Sequence, residues 1–197
     1  LTSIGANPFI RCFSLAKIDV SPDNPVFAQI DGVLYEKATK TLICYPAGKE
    51  GDSFDVPEGI LAIGDNAFSY CYSLTTITLP DGLTSIGNFS FCWCKALTTI
   101  TLPDSVTSIG DYAFYSCDSL TTVTLPASLT SFGDYAFSYS DSLTSVTLPD
   151  SLTSIGIGAF EDCSETLTLT VSRDSYGLPV RHRQRPRLHL PRRQRLA

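Results

Sequence analysis

The stretch that decides the fold is VTSIGDYAFYSCDSLTTVTLPAS, residues 106–128. The same pattern recurs along the chain, and four consecutive copies are spaced 23 residues apart. Copies of the pattern begin at Leu1, Ile60, Leu83, Val106, Leu129 and Leu152. A fixed period of 20–50 residues is the sequence signature of a repeat protein, in which each unit buries its apolar face against the next unit. The sequence therefore predicts a solenoid.

Within one unit, apolar residues recur at positions 1, 4, 8, 9, 12, 15, 18 and 20. The segment Leu120-x-x-Val123-x-Leu125 alternates as a strand does, and Pro126 ends it because proline cannot donate to a ladder. We expect a curved parallel sheet from positions 15–20 and a second, shorter ladder from positions 1–4. The fold class is a mainly β, leucine-rich-repeat-like solenoid.

Two short features connect these strands. Gly110 predicts a sharp turn with positive φ. Ala113 and Phe114 predict a single helical or 3₁₀ turn, with the phenylalanine as a bulky wedge in the core. The equivalent wedges are Phe68, Phe91, Phe114, Phe137 and Phe160.

The repeats define the expected domain organisation. A solenoid covers residues 1–174, with units at 1–23, 60–82, 83–105, 106–128, 129–151 and 152–174. Residues 24–59 interrupt it, and the β-rich runs Val33–Lys37 and Thr41–Tyr45 predict an inserted hairpin. Residues 52–57 then rejoin the solenoid, and residues 175–197 form an Arg-rich tail.

These units resemble the BspA-like family of bacterial surface leucine-rich repeats, whose unit is similar to L-T-S-I-G-x-x-A-F-x-x-C-x-S-L-T-x-V-T-L-P-x-S. The match covers nearly all of residues 1–172. The resemblance implies a non-enzymatic binding module at the bacterial cell surface, acting as an adhesin toward a host or neighbouring-cell protein or glycan. It implies an extracellular location, although the first residues are not those of a signal peptide and the chain is expected to be a fragment.

Charge separates the solenoid from the tail. Residues 1–174 hold all 20 Asp and Glu but only seven of the 14 Lys and Arg, which gives them a net charge of −13. A phosphate backbone needs a basic face, so nucleic acid is not an expected partner of the solenoid. No apolar run reaches the roughly 18 residues of a membrane helix.

The tail is compositionally unlike the rest. Of residues 178–197, 18 of 20 are Leu, Pro, Arg, His or Gln, all of which codons beginning with C can encode. A one-base shift can restore an acidic, Tyr-rich ending similar to that of BspA-like proteins. We interpret the tail as frameshifted or disordered; the alternative is a genuine basic arm for anionic polymers.

Cysteine recurs at one unit position. Position 12 holds Cys12, Cys71, Cys94, Cys117 and Cys163, with Ser140 in the remaining unit. We expect a structural column of small buried side chains rather than disulfides, because the cysteine total of seven is odd and adjacent slots lie in a ladder. Cys92-x-Cys94 alone is weak as a zinc motif, and the solenoid has no His. Neither a metal nor a cofactor is predicted.

Two sets of side chains are candidates for ligand binding. Positions 17 and 19 form a polar strand face, which either reflects β propensity on a solvated surface or binds a partner. Its members are Thr76, Thr78, Thr99, Thr101, Thr122, Thr124 and Thr147. An aromatic patch at positions 7, 10 and 11 either packs between turns or recognises a ligand. Its members are Tyr70, Trp93, Tyr115 and Tyr139, with Phe89, Tyr112 and Tyr135 beside them.

No catalytic constellation appears in the sequence. The solenoid lacks a P-loop and a histidine that could serve as a triad base. We therefore expect no enzyme. Besides the binding module, two alternatives remain: a structural spacer with no ligand of its own, and an ice-binding array of threonines.

Overall fold

The computed structural model describes residues 1–171 and 187–189, and its strands form two sheets, one wholly parallel and one parallel except for its first three strands. The threonine sheet has seven strands, which are β4 (Ser53–Asp55), β6 (Thr76–Thr78), β8 (Thr99–Thr101), β10 (Thr122–Thr124), β12 (Ser145–Leu148), β14 (Thr168–Val171) and β15 (Arg187–His189). The short-strand sheet has eight strands, which are β1 (Phe27–Ile30), β2 (Val33–Glu36), β3 (Thr41–Cys44), β5 (Ala62–Ile63), β7 (Ser85–Ile86), β9 (Ser108–Ile109), β11 (Ser131–Phe132) and β13 (Ser154–Ile155).

The 23-residue period sets the strand register. In the threonine sheet, Val123 pairs with Ile100 on one side and with Val146 on the other. In the short-strand sheet, Ile109 lies between Ile86 and Phe132 in the same way. Because the offset equals one unit, identical unit positions lie above one another. The predicted parallel-sheet solenoid and its second, shorter ladder are confirmed.

A buried aromatic ladder runs through the core between the sheets. The wedge phenylalanines stack face to face with centroid separations of 5.1, 5.0, 5.1 and 5.5 Å and interplanar angles of 10° or less. This inner ladder consists of Phe68, Phe91, Phe114, Phe137 and Phe160, all of which are buried. Its spacing is close to the ~4.8 Å between strands, so each turn adds one ring to a continuous core.

The arc that joins the two ladders, unit positions 6–14, is built of turns. We expected a helical or 3₁₀ turn at Ala113 and Phe114, and this is wrong: no helix occurs among the described residues. The N–H of Phe114 donates to the carbonyl of Ala136 in the next unit (2.7 Å) rather than to its own unit. The N–H of Tyr115 does donate within its own unit, to the carbonyl of Tyr112 (3.2 Å), so Ala113 and Phe114 lie in a single hydrogen-bonded turn. Because alternate N–H groups of the arc donate to the next unit, this turn does not continue as a helix.

The expected positive φ at Gly110 is also wrong, because its φ lies outside that range. Glycine is required there for a different reason. A Cβ on Gly110 would lie 2.6 Å from the backbone nitrogen of Asn88 in the preceding unit. The residue therefore permits a close approach between stacked backbones rather than an unusual backbone conformation.

The first turn of the solenoid is a composite. Asn7 donates from Nδ2 to the carbonyl of Asn66 (2.7 Å), so the arc of residues 7–13 stacks on the arc of unit 60–82. The strands of that turn come from the insert, since β3 pairs with β5 and β4 pairs with β6. Strands β3 and β4 of the insert thus supply the ladder strands of this turn.

The predicted hairpin is the antiparallel pair β2–β3, and β1, which was not predicted, adds a third antiparallel strand that extends the short-strand sheet. Its first connection is Asp31-Gly32, with φ of 52° and 75°. Positive φ at both central residues is typical of a type I′ hairpin turn. At the other end of the chain, β15 pairs in parallel with β14. The rest of the predicted tail lies outside the described residues.

Candidate functional site

Two columns of side chains line the outside of the arc, one at unit position 7 and one at unit position 11. The position-7 column contains Asn66, Phe89, Tyr112, Tyr135 and Gly158. The position-11 column contains Arg11, Tyr70, Trp93, Ser116, Tyr139 and Asp162. All of these residues have positive φ, between 50° and 64°. The left-handed backbone marks the two corners of the arc, and the aromatic side chains of both columns lie on its outside, whereas Ser116 is buried.

The aromatic members of each column stack on one another. Phe89, Tyr112 and Tyr135 have centroid separations of 4.8 and 5.0 Å and interplanar angles of 3° and 18°. In the other column, Tyr70 and Trp93 are nearly parallel, with centroids 6.1 Å apart. Within these stacks the rings cover each other's faces.

A groove of about 520 Å³ lies between the two columns. We call it the aromatic groove, and its lining consists of Ile10, Arg11, Asn66, Ser69, Tyr70, Phe89, Cys92, Trp93, Tyr112 and Tyr115. Tyr115 comes from unit position 10, and its ring is inclined by 53° to that of Trp93 and by 57° to that of Tyr112. A volume of this size suits a small molecule or one end of a larger ligand.

Two cations border the position-11 column. The Arg11 guanidinium lies 4.9 Å from the centroid of the Tyr70 ring and donates to the Tyr70 hydroxyl (2.8 Å). Lys95 Nζ lies 4.7 Å from the centroid of Trp93 and forms an ion pair with Asp118 (2.9 Å). The positive charge of Lys95 is therefore compensated by the carboxylate of Asp118. Arg11 instead contacts the aromatic ring and the hydroxyl group of Tyr70.

Folding alone does not select aromatic residues in these columns. The same positions hold Asn66, Gly158, Ser116 and Asp162 in other units, and Asn, Asp and Gly tolerate the left-handed conformation best. For another L residue that conformation costs about 1–2 kcal/mol. An aromatic pair returns only about 0.5–1.5 kcal/mol. Since the backbone cost and the stacking gain roughly cancel, pairwise stacking alone does not account for the aromatic side chains between Tyr70 and Tyr139.

Four of the five cysteines of unit position 12 form the expected column of hydrogen-bonded side chains, but the expectation is wrong for Cys12, which is exposed because it lies on the first arc of the solenoid. Cys94, Cys117 and Cys163 donate from Sγ to the phenylalanine carbonyl of the preceding unit at 3.0–3.2 Å. Ser140 makes the equivalent bond at 3.3 Å. Cys71 is the fourth buried or half-buried cysteine of the column, and its Sγ lies 4.0 Å from the carbonyl oxygen of Tyr45. All seven cysteines are free.

Burial makes the inner thiols poor nucleophiles. It raises the pKa of Cys163 to about 11 and that of Cys92 to about 12, and it raises the pKa values of Cys71, Cys94 and Cys117 well above the ordinary value of 9. A thiolate is the reactive form of cysteine, so these side chains are inert at neutral pH.

The threonine face lies apart from the aromatic groove. The side chains at unit positions 17 and 19 alternate with the buried residue at position 18, and all seven threonines of the sequence prediction are exposed. Their hydroxyls make no hydrogen bond to the part of the protein that the structure describes, and none of them lines the groove.

The structure brings together three of the four residues of the predicted aromatic patch. Tyr70, Trp93 and Tyr115 line the groove, while Tyr139 packs on Tyr115 with centroids 5.2 Å apart and lies beyond its end. Sequence reasoning missed Arg11 and Asn66. The signal was present, because Arg11 occupies position 11 of the unit that begins at Leu1, but its distance from Tyr70 depends on how the insert folds.

The described part of the chain holds neither a cluster of metal-ligating side chains nor a membrane-spanning helix. Over residues 1–171 and 187–189, no three His, Cys, Asp or Glu side chains gather where they could hold a metal ion. The same residues include no helix of the length and apolarity needed to cross a membrane.

Comparison with known protein families and structures gives consistent matches. The family model described as BspA type leucine rich repeat region, in six copies, matches residues 48–175, more than half of the chain. A search of curated protein sequences found no match.

Three solved structures illustrate the similarity. The pneumococcal vaccine antigen PcpA is 25% identical with a TM-score of 0.70, over 84% of this chain and 50% of that one. A leucine-rich repeat protein from Bacteroides ovatus is 30% identical with a TM-score of 0.60, over 69% and 38%. The T. pallidum leucine-rich repeat protein is 30% identical with a TM-score of 0.62, over 77% and 71%. The chain thus spans half or less of the first two proteins.

Proposed function

The chain belongs to the BspA-type leucine-rich repeat family, and on that premise we propose that it is a non-enzymatic ligand-binding module of a bacterial cell-surface protein. We place the binding site in the aromatic groove. The partner is a protein or glycan on a host or neighbouring cell, so the module acts in adhesion. The similarity to a pneumococcal vaccine antigen supports an extracellular location.

One observation carries this proposal. Bulky aromatic residues occupy left-handed positions that other units fill with Asn, Ser, Asp or Gly, and their side chains line one concave surface. Exposed Trp and Tyr are enriched where proteins recognise ligands, because they bury a large area at a small cost in side-chain entropy. Trp93 and Tyr115 face this groove from adjacent units and are the expected centre of the contact.

A paired array experiment tests the proposal. The protein is applied to glycan and matrix-protein arrays and compared with Trp93→Ala and Tyr115→Ala. Truncating a central aromatic residue costs at least about 2 kcal/mol at an interface, so each variant should bind at least 30-fold more weakly. The matched control is Tyr72→Ala, which removes an aromatic ring of the same arc that is 44% exposed but lies outside the groove lining.

Each alternative function predicts a different experimental result. A structural spacer would give no saturable binding with the unmodified protein. An ice-binding array would produce thermal hysteresis that Thr99→Val and Thr101→Val alter and Trp93→Ala does not. Equal binding by Trp93→Ala, Tyr115→Ala and the unmodified protein would contradict a binding site in the groove.

A further inference from the structure

Resting on the proposed function, we propose that the aromatic groove binds a carboxylate-bearing sugar residue of an acidic glycan, with Arg11 holding the carboxylate. This names the ligand class of the groove and adds a specificity-determining residue at one end of it.

Arg11 is a cation with unused donors. It is exposed, and it takes part in none of the three ion pairs found among the described residues. Of the five N–H donors of a guanidinium, one is used, in the bond to the Tyr70 hydroxyl. The contact with the Tyr70 ring fixes the position of the planar group at the end of the groove. A fixed guanidinium is suited to bidentate binding of a carboxylate.

The rest of the lining also favours a negative ligand. Because the rings of each column stack on one another, ring edges rather than stacked faces border the groove, and the edge of an aromatic ring is its positive part. The hydroxyls of Tyr112 and Tyr115 and the amide nitrogen of Asn66 have no protein partner in the described structure. No carboxylate lines the groove.

The carboxylates at unit position 6 accept hydrogen bonds from the backbone of the next unit. Asp111 accepts the backbone N–H of Asp134 (2.8 Å), and Asp134 accepts that of Ile157 (2.6 Å). These bonds hold both side chains on the ladder between units. At physiological salt the charge of acidic residues more than about 8 Å away is screened, so the net charge of the solenoid acts on Arg11 only through nearby groups, and none of these forms an ion pair with it among the described residues.

The available hydrogen-bonding groups favour a sugar over a peptide. An extended peptide is commonly recognised through main-chain bonds to an open strand edge. Here the arc backbone is already paired, since the N–H groups of Tyr70, Phe89 and Trp93 each donate to the next unit at 2.8 Å. What remains is a set of side-chain hydroxyl and amide groups, which suits a ligand with many hydroxyls. The inclined ring of Tyr115 has no parallel neighbour, so its face can receive the apolar side of a pyranose.

Titration with matched sugars tests the inference. Trigalacturonate and 3′-sialyllactose are titrated into the protein by calorimetry, each as the free acid and as its methyl ester. We expect at least one acid to bind at least about tenfold more tightly than its ester, since hydrogen bonds to charged groups contribute more than neutral ones. Arg11→Gln should abolish that difference, and Arg11→Lys should reduce it. Lys17→Gln is the control, because it removes the same charge outside the groove lining.

Several results would overturn the inference: equal affinity for acid and ester, no effect of Arg11→Gln, no binding of either acid, or tighter binding of a Glu-rich pentapeptide. Its failure can be distinguished from that of the proposed function. If an array ligand is lost in Trp93→Ala while neither acidic sugar binds, the groove is the site and the ligand class is wrong. If Trp93→Ala leaves array binding unchanged, the proposed function itself fails.

Discussion

The molecule contains two kinds of aromatic ladder, one inside and one outside the same arc. The inner ladder repeats a single residue type, from Phe68 to Phe160, and is buried throughout. The outer columns vary from unit to unit, and their aromatic members are confined to the stretch between Tyr70 and Tyr139. In the inner ladder and in the outer columns alike, the rings are spaced as the stacked units are. Ring spacing alone therefore does not distinguish the two.

The difference lies in what each unit requires. Every turn needs a large apolar side chain to fill the space between its two strands, and this constraint fixes position 9. Position 7 needs only a residue that can adopt positive φ, and Asn66 and Gly158 meet that requirement at lower cost than Tyr112. Aromatic identity is therefore structural in the inner ladder and available for binding in the outer columns.

The largest expected effect is on the inner ladder. Phe114→Ala removes a fully buried ring that stacks on Phe91 and Phe137, and it should lower the free energy of unfolding by about 3–5 kcal/mol. Urea denaturation followed by circular dichroism measures the change. A loss below about 1 kcal/mol would mean that the ladder is not the main element of the core.

A second prediction concerns the contact between stacked backbones. Gly110→Ala places a Cβ 2.6 Å from the Asn88 nitrogen, so we expect a cost of about 1–3 kcal/mol from overpacking. Gly82→Ala is the matched control, because its nearest atom is the Leu61 Cδ2 at 3.9 Å. That substitution should be neutral or stabilising by up to about 1 kcal/mol. If both glycines responded alike, close approach would not be the reason for glycine at position 5.

A third prediction follows from the buried thiols. The folded-state pKa of Cys163, about 11, is raised above the ordinary value of 9, so the folded protein holds this proton more tightly than the unfolded chain does. The resulting stability is fully present below pH 9 and is lost as pH rises from 9 through 11. Between pH 8 and pH 10.5 the unmodified protein should lose about 1–2 kcal/mol more than Cys163→Ser. Denaturant midpoints at both pH values provide the test, and identical losses would refute it.

A fourth prediction returns to the outer columns. In Tyr112→Asn the lost stacking on Phe89 and Tyr135 is offset by the easier left-handed backbone, so stability should change by less than about 1 kcal/mol. The same variant should weaken binding of any groove ligand. A loss of 3 kcal/mol, comparable to that of Phe114→Ala, would erase the distinction between the two ladders.

The sequence was sufficient to predict the solenoid because the repeat period places residues of the same unit position side by side in successive units. Val123 must lie beside Ile100 once units stack, and no other information is needed. It was not sufficient for the aromatic groove. Arg11 meets Tyr70 across 59 residues only because β3 and β4 complete the first turn, and the arrangement of an insert is not encoded in the repeat.

The role of glycine at position 5 shows a related limit. A glycine in a turn is most simply explained by positive φ, yet the left-handed residues are Tyr112 and Ser116. Gly110 is needed because of a neighbour one unit away. Sequence rules for turns predict the backbone conformation of a residue from its neighbours in the chain. At Gly110 the choice of residue is instead determined by the backbone of the adjacent repeat unit.

The smallest expected effect is on the threonine face. Thr99→Val and Thr101→Val keep the β-branched shape that suits a strand. They remove hydroxyl groups that make no hydrogen bond within the described structure. The free energy of unfolding should therefore change by no more than about 0.5 kcal/mol. If the groove is the binding site, the double variant should bind array ligands as well as the unmodified protein does. Loss of binding in this double variant, with binding retained in Trp93→Ala, would move the site from the arc to the sheet. The aromatic columns would then have to be explained by stacking alone, although Asn, Ser, Asp and Gly fill the same positions in other units.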